Sequence, residues 1–335
     1  MGVGGGVGTS VLAIDAGNSK TDVAVVTGGG RIVGAARGGG FQPPRVGVEA
    51  AVDVLAEAVA RALAEAGVEA GVEAGSEAGA GSVGHVSACL ANADLPVEER
   101  QLADALRRRG WGASVEVRND TFAVLRAGLL EDAEPRGVAV VCGAGINCAG
   151  MLPDGRTARF PAIGRISGDW GGGGGLAEEA LWHAARAEDG RGGPTALREA
   201  LPAHFGLASM YALIEALHLG HLTLAQRHEL TPVLFATAAA GDAVARALVD
   251  RMADEVVAMS TVALDRLGLL GEEVPVVLGG SVLAARHPQL DDRIRLLLSE
   301  RAPKAEPRVV TARPVLGAAL LGLDQVGAPT EVHAR

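Results

Sequence analysis

The 335-residue sequence predicts a two-domain α/β protein whose halves repeat one architecture. Two observations carry that prediction. Three short aliphatic runs, Val11–Ile14, Val138–Val141 and Val274–Val277, each deliver a glycine turn. The turns are Asp15-Ala-Gly-Asn-Ser-Lys-Thr-Asp22, Cys142-Gly-Ala-Gly-Ile-Asn147 and Val277-Leu-Gly-Gly-Ser281. A buried strand ending in glycine exposes backbone N–H groups where a phosphate can approach without meeting a Cβ. The second observation is order: the elements read β-β-β-α-β-α-β, then a second β-rich start, then a helical block.

Each element follows from local pattern. After the first turn, Val23–Val26, a corner at Gly28–Gly30 and Arg31–Ala35 read as two antiparallel strands. Residues 48–66 have helical spacing, with Val52, Leu55, Val59 and Leu63 on one face. The repeated Gly-Val/Ser-Glu-Ala of residues 67–80 is low complexity, and its regular glycines disfavour helix by about 1 kcal/mol each, so it reads as a solvated insertion. Val83–Cys89 is a strand, 97–109 a helix, Ser114–Arg118 a strand and Thr121–Ala127 a helix, while 195–268 is almost entirely helical. The expected domains are a disordered leader at 1–10, a first domain at 11–125, a second at 126–313, and a segment at 314–335 that returns to the first.

Composition narrows the function. Hydrophobic residues make up 48% and aromatics 3%, so Ala, Val and Leu must build the core. A net charge of −10 disfavours nucleic acid as a partner. No apolar run reaches the roughly 18 residues that span a bilayer, and the N-terminus lacks the basic and apolar regions of a secretion signal. No membrane association is expected. The three cysteines suit neither a disulfide framework nor a paired metal site, and the cytoplasm is the expected compartment.

Several segments together resemble a known family. They are Ala13–Asp22, Asn119-Asp-Thr121, Gly143–Asn147, Gly168-Asp169, Leu278–Ser281 and Pro314-Val-Leu-Gly-Ala-Ala319, spread from about residue 11 to 323. In order and spacing they resemble the N-acetylglucosamine kinase-like BadF/BadG/BcrA/BcrD-type ATPases. That resemblance implies the duplicated actin/hexokinase-like (ribonuclease H-like) fold with an interdomain cleft. It also implies an ATP-dependent kinase that forms the 6-phosphate of N-acetylglucosamine or a related amino sugar.

The resemblance implies residue roles. Asp15 would orient the water shell of Mg²⁺, and Gly17, Asn18, Ser19, Lys20 and Thr21 would wrap the β/γ-phosphates of ATP. Lys20 lacks a P-loop context and reads as a surface residue or a secondary phosphate contact. Asp120, at a strand's carboxyl end, would be the general base. An aspartate before a helix is also a favoured N-cap, and both roles can hold. Gly143, Ala144 and Gly145 would form the second phosphate turn, and Gly279, Gly280 and Ser281 would let adenine lie on backbone. Gln42, Asn119, Asn147 and Asp169 would hold the sugar.

The chain departs from the family in three places. Ala144 and Ile146 stand where relatives have hydroxyl residues, and Gln42 stands near a usual asparagine. Trp170 replaces an acid, as a sugar-stacking ring or, preferentially, an anchor. Residues 171–175 read as a hinge or lid, or as a plain flexible loop. Two alternatives compete with the kinase. One is a partner-activating ATPase, which would need cysteines at a dimer interface to hold an iron–sulfur cluster. The other is a non-catalytic nucleotide or sugar sensor, for whose DNA-binding segment the glycine-rich N-terminus leaves no room. A homodimer is the expected assembly.

Overall fold

The computed structural model describes residues 10–68, 83–130, 134–328 and 332. Most of the leader, and the insertion beyond Val68, lie outside the described residues. Contacts gather the chain into two compact units: residues 1–137, 149–155 and 310–335 form the first, and 138–148 with 156–309 form the second.

The first sheet holds β1 (Val11–Ala16), β2 (Thr21–Val26) and β3 (Ile32–Gly38), followed by the short α1 (Pro43–Val46) and α2 (Val48–Glu65). Then come β4 (Val83–Leu90), α3 (Pro96–Arg108), β5 (Gly112–Asn119) and α4 (Thr121–Gly128). The strand order is β3-β2-β1-β4-β5. β1 and β2 pair antiparallel, whereas β1–β4 and β4–β5 are parallel, so three strands end at one edge. The α2 stripe Val52, Leu55, Val59 and Leu63 is fully or almost fully buried, as the spacing predicts. Burying each such side chain contributes roughly 1.5–3 kcal/mol.

The second sheet comprises β6 (Gly137–Cys142), β7 (Ile146–Met151), β8 (Thr157–Arg159), β9 (Val274–Gly279) and β10 (Ala305–Val309). Between β8 and β9 lie α5 (Gly172–Glu188), α6 (Leu197–His204), α7 (Met210–His218), α8 (Leu224–Arg227), α9 (Leu230–Ala239) and α10 (Ala243–Leu267). After β9 come α11 (Gly280–Ala284) and α12 (Pro288–Arg301). The order β10-β9-β6-β7-β8, read from its far edge and counted from β6, matches the first sheet strand for strand. The repeat expected from the glycine turns is therefore present in the topology. The final helix, α13 (Pro314–Gln325), belongs to the first unit. Among the described residues no single helix is long and apolar enough to cross a membrane.

Candidate active site

In the first unit, parallel pairing sets the geometry. The register aligns Asp15 with Cys89 and Cys89 with Arg118. Beyond the strands, the Ala91 amide donates to Ala16 O at 2.7 Å and the Asp120 amide to Leu90 O at 3.2 Å. Asp15 and Asp120 therefore leave the same sheet edge on either side of β4. Both are half-buried, and among the described residues neither makes an ion pair. Burial, then the charges of Asp120 and Asp22, push the Asp15 carboxyl up to about 7 against the pull of Lys20 and Arg313. Burial pushes Asp120 up to about 6, opposed by nearby backbone amides.

Asp120 occupies the N-cap position of α4 but makes no side-chain cap there. Asn119 does that work: its Oδ1 accepts from the Thr121 amide at 2.9 Å, while its Nδ2 donates to Asp94 Oδ1 at 2.8 Å. The Asp120 carboxylate thus makes no side-chain cap, and both polar atoms of the buried Asn119 have protein partners. Between the two acids, burial raises the Cys89 thiol well above its ordinary range, so it stays neutral.

The hairpin turn after β1 closes with Gly17 N–H donating to Lys20 O at 2.9 Å, and it leaves Asn18, Ser19 and Lys20 exposed. Thr21 points away from that surface, its hydroxyl donating to Gly39 O at 2.8 Å. Phe41 N–H donates to Gly17 O at 2.9 Å and Gln42 Nε2 to Asn18 O at 2.9 Å. Gln42 Oε1 accepts from Arg45 at 2.8 Å, so this side chain ties the turn to α1. Asn92, at a left-handed φ of 61°, also holds the turn, its Nδ2 donating to Asn18 Oδ1 at 3.0 Å and to Phe41 O at 3.2 Å. Sequence reading missed Asn92 and Asp94. The available signal was two polar residues directly after an apolar strand, in Leu90-Ala-Asn-Ala-Asp94.

The second unit brings its two glycine turns together. β6 and β9 are parallel, with Val141 opposite Gly279, so both turns leave one edge. Gly280 has φ +82°, and a Cβ there would lie 2.2 Å from the Cys142 carbonyl oxygen. Only glycine allows this approach. The run 171–175, expected as a hinge or loop, is instead mostly the first turn of α5. Its amides explain the difference: Gly173 donates to Gly143 O at 2.7 Å and Gly174 to Ala144 O at 2.8 Å. A Cβ on Gly172 would lie 2.4 Å from the Gly145 backbone, so the glycines serve close packing of helix on turn.

Trp170 is buried, donates from Nε1 to Glu179 at 3.2 Å and lies under the Arg251 guanidinium at 4.0 Å, which makes it an anchor. Asp169 accepts from Ser167 Oγ at 2.5 Å and the Gly164 amide at 3.0 Å. With Ala144, Gly145, Arg165 and Glu178 it lines a cavity of about 270 Å³. Asn147 lies on β7, its Oδ1 accepting from Cys148 N–H at 2.7 Å. Ser281 is in the first turn of α11.

The BadF/BadG/BcrA/BcrD ATPase family matches the chain over residues 12–322. The chain belongs to this family. It is 28% identical over 247 residues to the N-acetyl-D-glucosamine kinase of Dictyostelium discoideum, covering 71% of this chain and 75% of that protein. It is also 28% identical over 216 residues to an N-acetylmuramic acid/N-acetylglucosamine kinase of Clostridium acetobutylicum, covering 64% and 69%. Among solved structures, a candidate N-acetylglucosamine kinase from Chromobacterium violaceum superposes with TM-score 0.67 at 22% identity, covering 95% of this chain and all of that one. A ROK family glucokinase from Streptomyces griseus gives TM-score 0.54 at 17% identity, covering 95% and 98%. These likenesses fix the fold as actin/hexokinase-like, in agreement with the sequence.

Proposed function

We infer that this family member is an ATP-dependent amino-sugar kinase, with N-acetylglucosamine the leading substrate and Asp120 the general base. The observation that carries this reading is the state of Asp120. It is a half-buried carboxylate at a strand's end, uncapped, without an ion-pair partner among the described residues, and raised to about 6. A base in that range is ionised at neutral pH and still accepts a proton readily. The sugar hydroxyl gives its proton to Asp120 as its oxygen bonds to the γ-phosphorus, while the bond from phosphorus to the β-phosphate oxygen breaks and ADP leaves. The substrates of the two curated relatives support the amino-sugar class.

The Asp15 surroundings fit a divalent cation. Two carboxylates approach each other closely enough for Asp120 to raise Asp15, a repulsion that a cation relieves. Among the described residues no cluster of three metal-binding side chains exists, which suits Mg²⁺ that keeps most of its waters. Asp15 would hold that water shell, and the ion would supply charge neutralisation to the β/γ-phosphate oxygens. The exposed turn Asn18–Lys20 would meet the phosphates, and Asp169 with its cavity would meet the sugar. The partner-activating alternative asks for accessible cysteines, but Cys89, Cys142 and Cys148 are all buried.

The test is coupled ADP release over a panel of hexosamines with ATP and Mg²⁺. N-acetylglucosamine or a close relative should stimulate ADP release well above basal hydrolysis. Fast basal hydrolysis that no amino sugar changes would turn the assignment to the partner-activating ATPase.

A further inference from the structure

Asp22 lies on β2 directly across from Asp15, and its side chain is only 3% exposed. One carboxylate here faces three cations. Arg37 takes both oxygens, with Nε at 2.7 Å from Oδ1 and Nη2 at 3.2 Å from Oδ2. Such a forked pairing neutralises the carboxylate by itself. Yet Arg313 Nη2 also reaches Oδ1 at 3.1 Å, and Lys20 Nζ stands 3.7 Å from Oδ2. Burial alone would raise the Asp22 carboxyl. The Arg37 hydrogen bond and the charges of Arg313, Arg37 and Lys20 outweigh it and hold the carboxyl below its ordinary range.

Once Arg37 has neutralised Asp22, Lys20 and Arg313 face only the Asp15 carboxyl beside an exposed glycine turn, which leaves positive charge in excess there. Both are close enough for Asp15 to feel their charge. Arg313 is also firmly delivered. It immediately precedes α13, and α13 is fixed to the first unit along its length. Gly317 meets α4 so closely that a Cβ would lie 1.9 Å from Ala123 O. Ser87 Oγ donates to Ala318 O at 2.7 Å, and Asp324 receives the buried Arg126 guanidinium at 2.9 Å. The same α4 begins beside Asp120. One helix therefore holds both a guanidinium at the Asp15 side and the helix that follows Asp120. The Arg313 side chain nevertheless remains 61% exposed, although Asp22 needs no second arginine.

We propose that Arg313, held by Asp22 and carried by α13, is a nucleotide-binding residue whose guanidinium contacts the polyphosphate at the Gly17–Thr21 turn. This rests on the reading above that phosphates bind at that turn. A planar guanidinium offers several donors in fixed geometry and suits a phosphate better than a point charge. Asp22 is then a positioning residue that acts through Arg313 and Lys20.

Calorimetry on the full chain with ATP, ADP and adenosine in Mg²⁺ tests this. Arg313→Ala should weaken ATP about 10- to 100-fold, the size of a charged hydrogen bond, and leave adenosine within about twofold. The KM for ATP should rise far more than the KM for sugar, and Arg313→Lys should recover part of the loss. If the alanine variant does not fold, Arg313→Gln, which can still donate to Asp22, gives the same comparison. Wild-type ATP affinity in Arg313→Ala, with ATP binding lost in Asp15→Ala, overturns the proposal and leaves the phosphate reading standing. If neither variant weakens ATP, the phosphate reading itself fails. Equal losses for ATP and adenosine mark Arg313 as structural and also overturn the proposal.

Discussion

Replacing Asp120 by Asn should move activity and stability in opposite directions. The folded carboxyl sits at about 6 against an ordinary 3.8. The folded chain thus binds this proton more tightly than the unfolded chain. The stability linked to it is fully present below pH 4 and is lost as pH rises through about 6. At roughly 1.4 kcal/mol per pH unit, this rise corresponds to about 3 kcal/mol, and partial solvent access brings it nearer 2. The introduced amide would carry no charge to desolvate but would need hydrogen-bond partners, at a cost of about 1 kcal/mol. The variant should therefore be about 1–2 kcal/mol more stable than wild type at pH 8, with the gain gone by about pH 4.

Urea denaturation of both proteins at the two pH values, without nucleotide, reads this directly. Turnover of the same variant should fall by about 10²–10⁴, the size expected for a lost general base. An Asp120→Asn protein that is less stable at pH 8, with the wild-type pH slope intact, would refute the claim that burial strains this charge. Near-normal turnover would refute its role as base. The two halves of the prediction can fail separately, which locates the error.

Asp15→Ala should raise the Mg²⁺ requirement and weaken productive ATP binding, whereas unchanged Mg²⁺ dependence would make Asp15 structural. Because the Asp15 carboxyl sits at about 7, Mg²⁺ binding near pH 6 should release protons, seen as a calorimetric heat that changes with buffer ionisation enthalpy. Gly280→Ala should cost more than about 2 kcal/mol, from a left-handed φ of +82° and a 2.2 Å clash. Gly175→Ala, with no neighbour within 4 Å of the added Cβ, should be neutral or stabilise by about 0.5–1 kcal/mol. Equal losses in the two glycine variants would contradict the steric account. Deleting residues 67–80 should leave kinase activity intact, and a folded but inactive deletion would show that the segment is more than a linker.

Strands were legible in the sequence where an aliphatic run met a glycine turn, because burial and backbone geometry both leave local signals. Helix α2 was legible for a similar reason: its stripe repeats at helical spacing. The glycines at 172–175 misled because their cause is distant. Helix propensity counts against four successive glycines, but here the helix must press onto the 143–145 backbone, and only tertiary contact reveals that. Asn119 and Gln42 show the same limit at the site. Their residue types suggest a sugar, while their hydrogen bonds to Asp94 and Asn18 join segments distant in sequence and leave no local signal. Arg313 was invisible in sequence because it stands 291 positions from Asp22, as the residue numbers give directly.

The two glycine turns after β1 and β6 share a place in the repeat but differ in what they leave open. After β1, the turn faces solvent with Asn18, Ser19 and Lys20, and cations gather behind it on Asp22. After β6, the turn's own carbonyls take the first amides of α5 at Gly173 and Gly174, and the Gly172 amide is directed at Cys142. An unsatisfied helix N-terminus attracts anions, but these donors are already satisfied. The positive end of α5 is therefore closed to a ligand by the turn packed on it. Any group held there must use the turn's remaining backbone and the shape of the Gly280 approach, without side-chain hydroxyls at Ala144 and Ile146. Charge is thus concentrated at the first turn, whereas the second is closely packed backbone without a charged side chain. If phosphates bind at the first turn as proposed, a substitution altering charge at 20 or 313 should change the response to phosphate number, and an unchanged preference among ATP, ADP and adenosine would refute that reading.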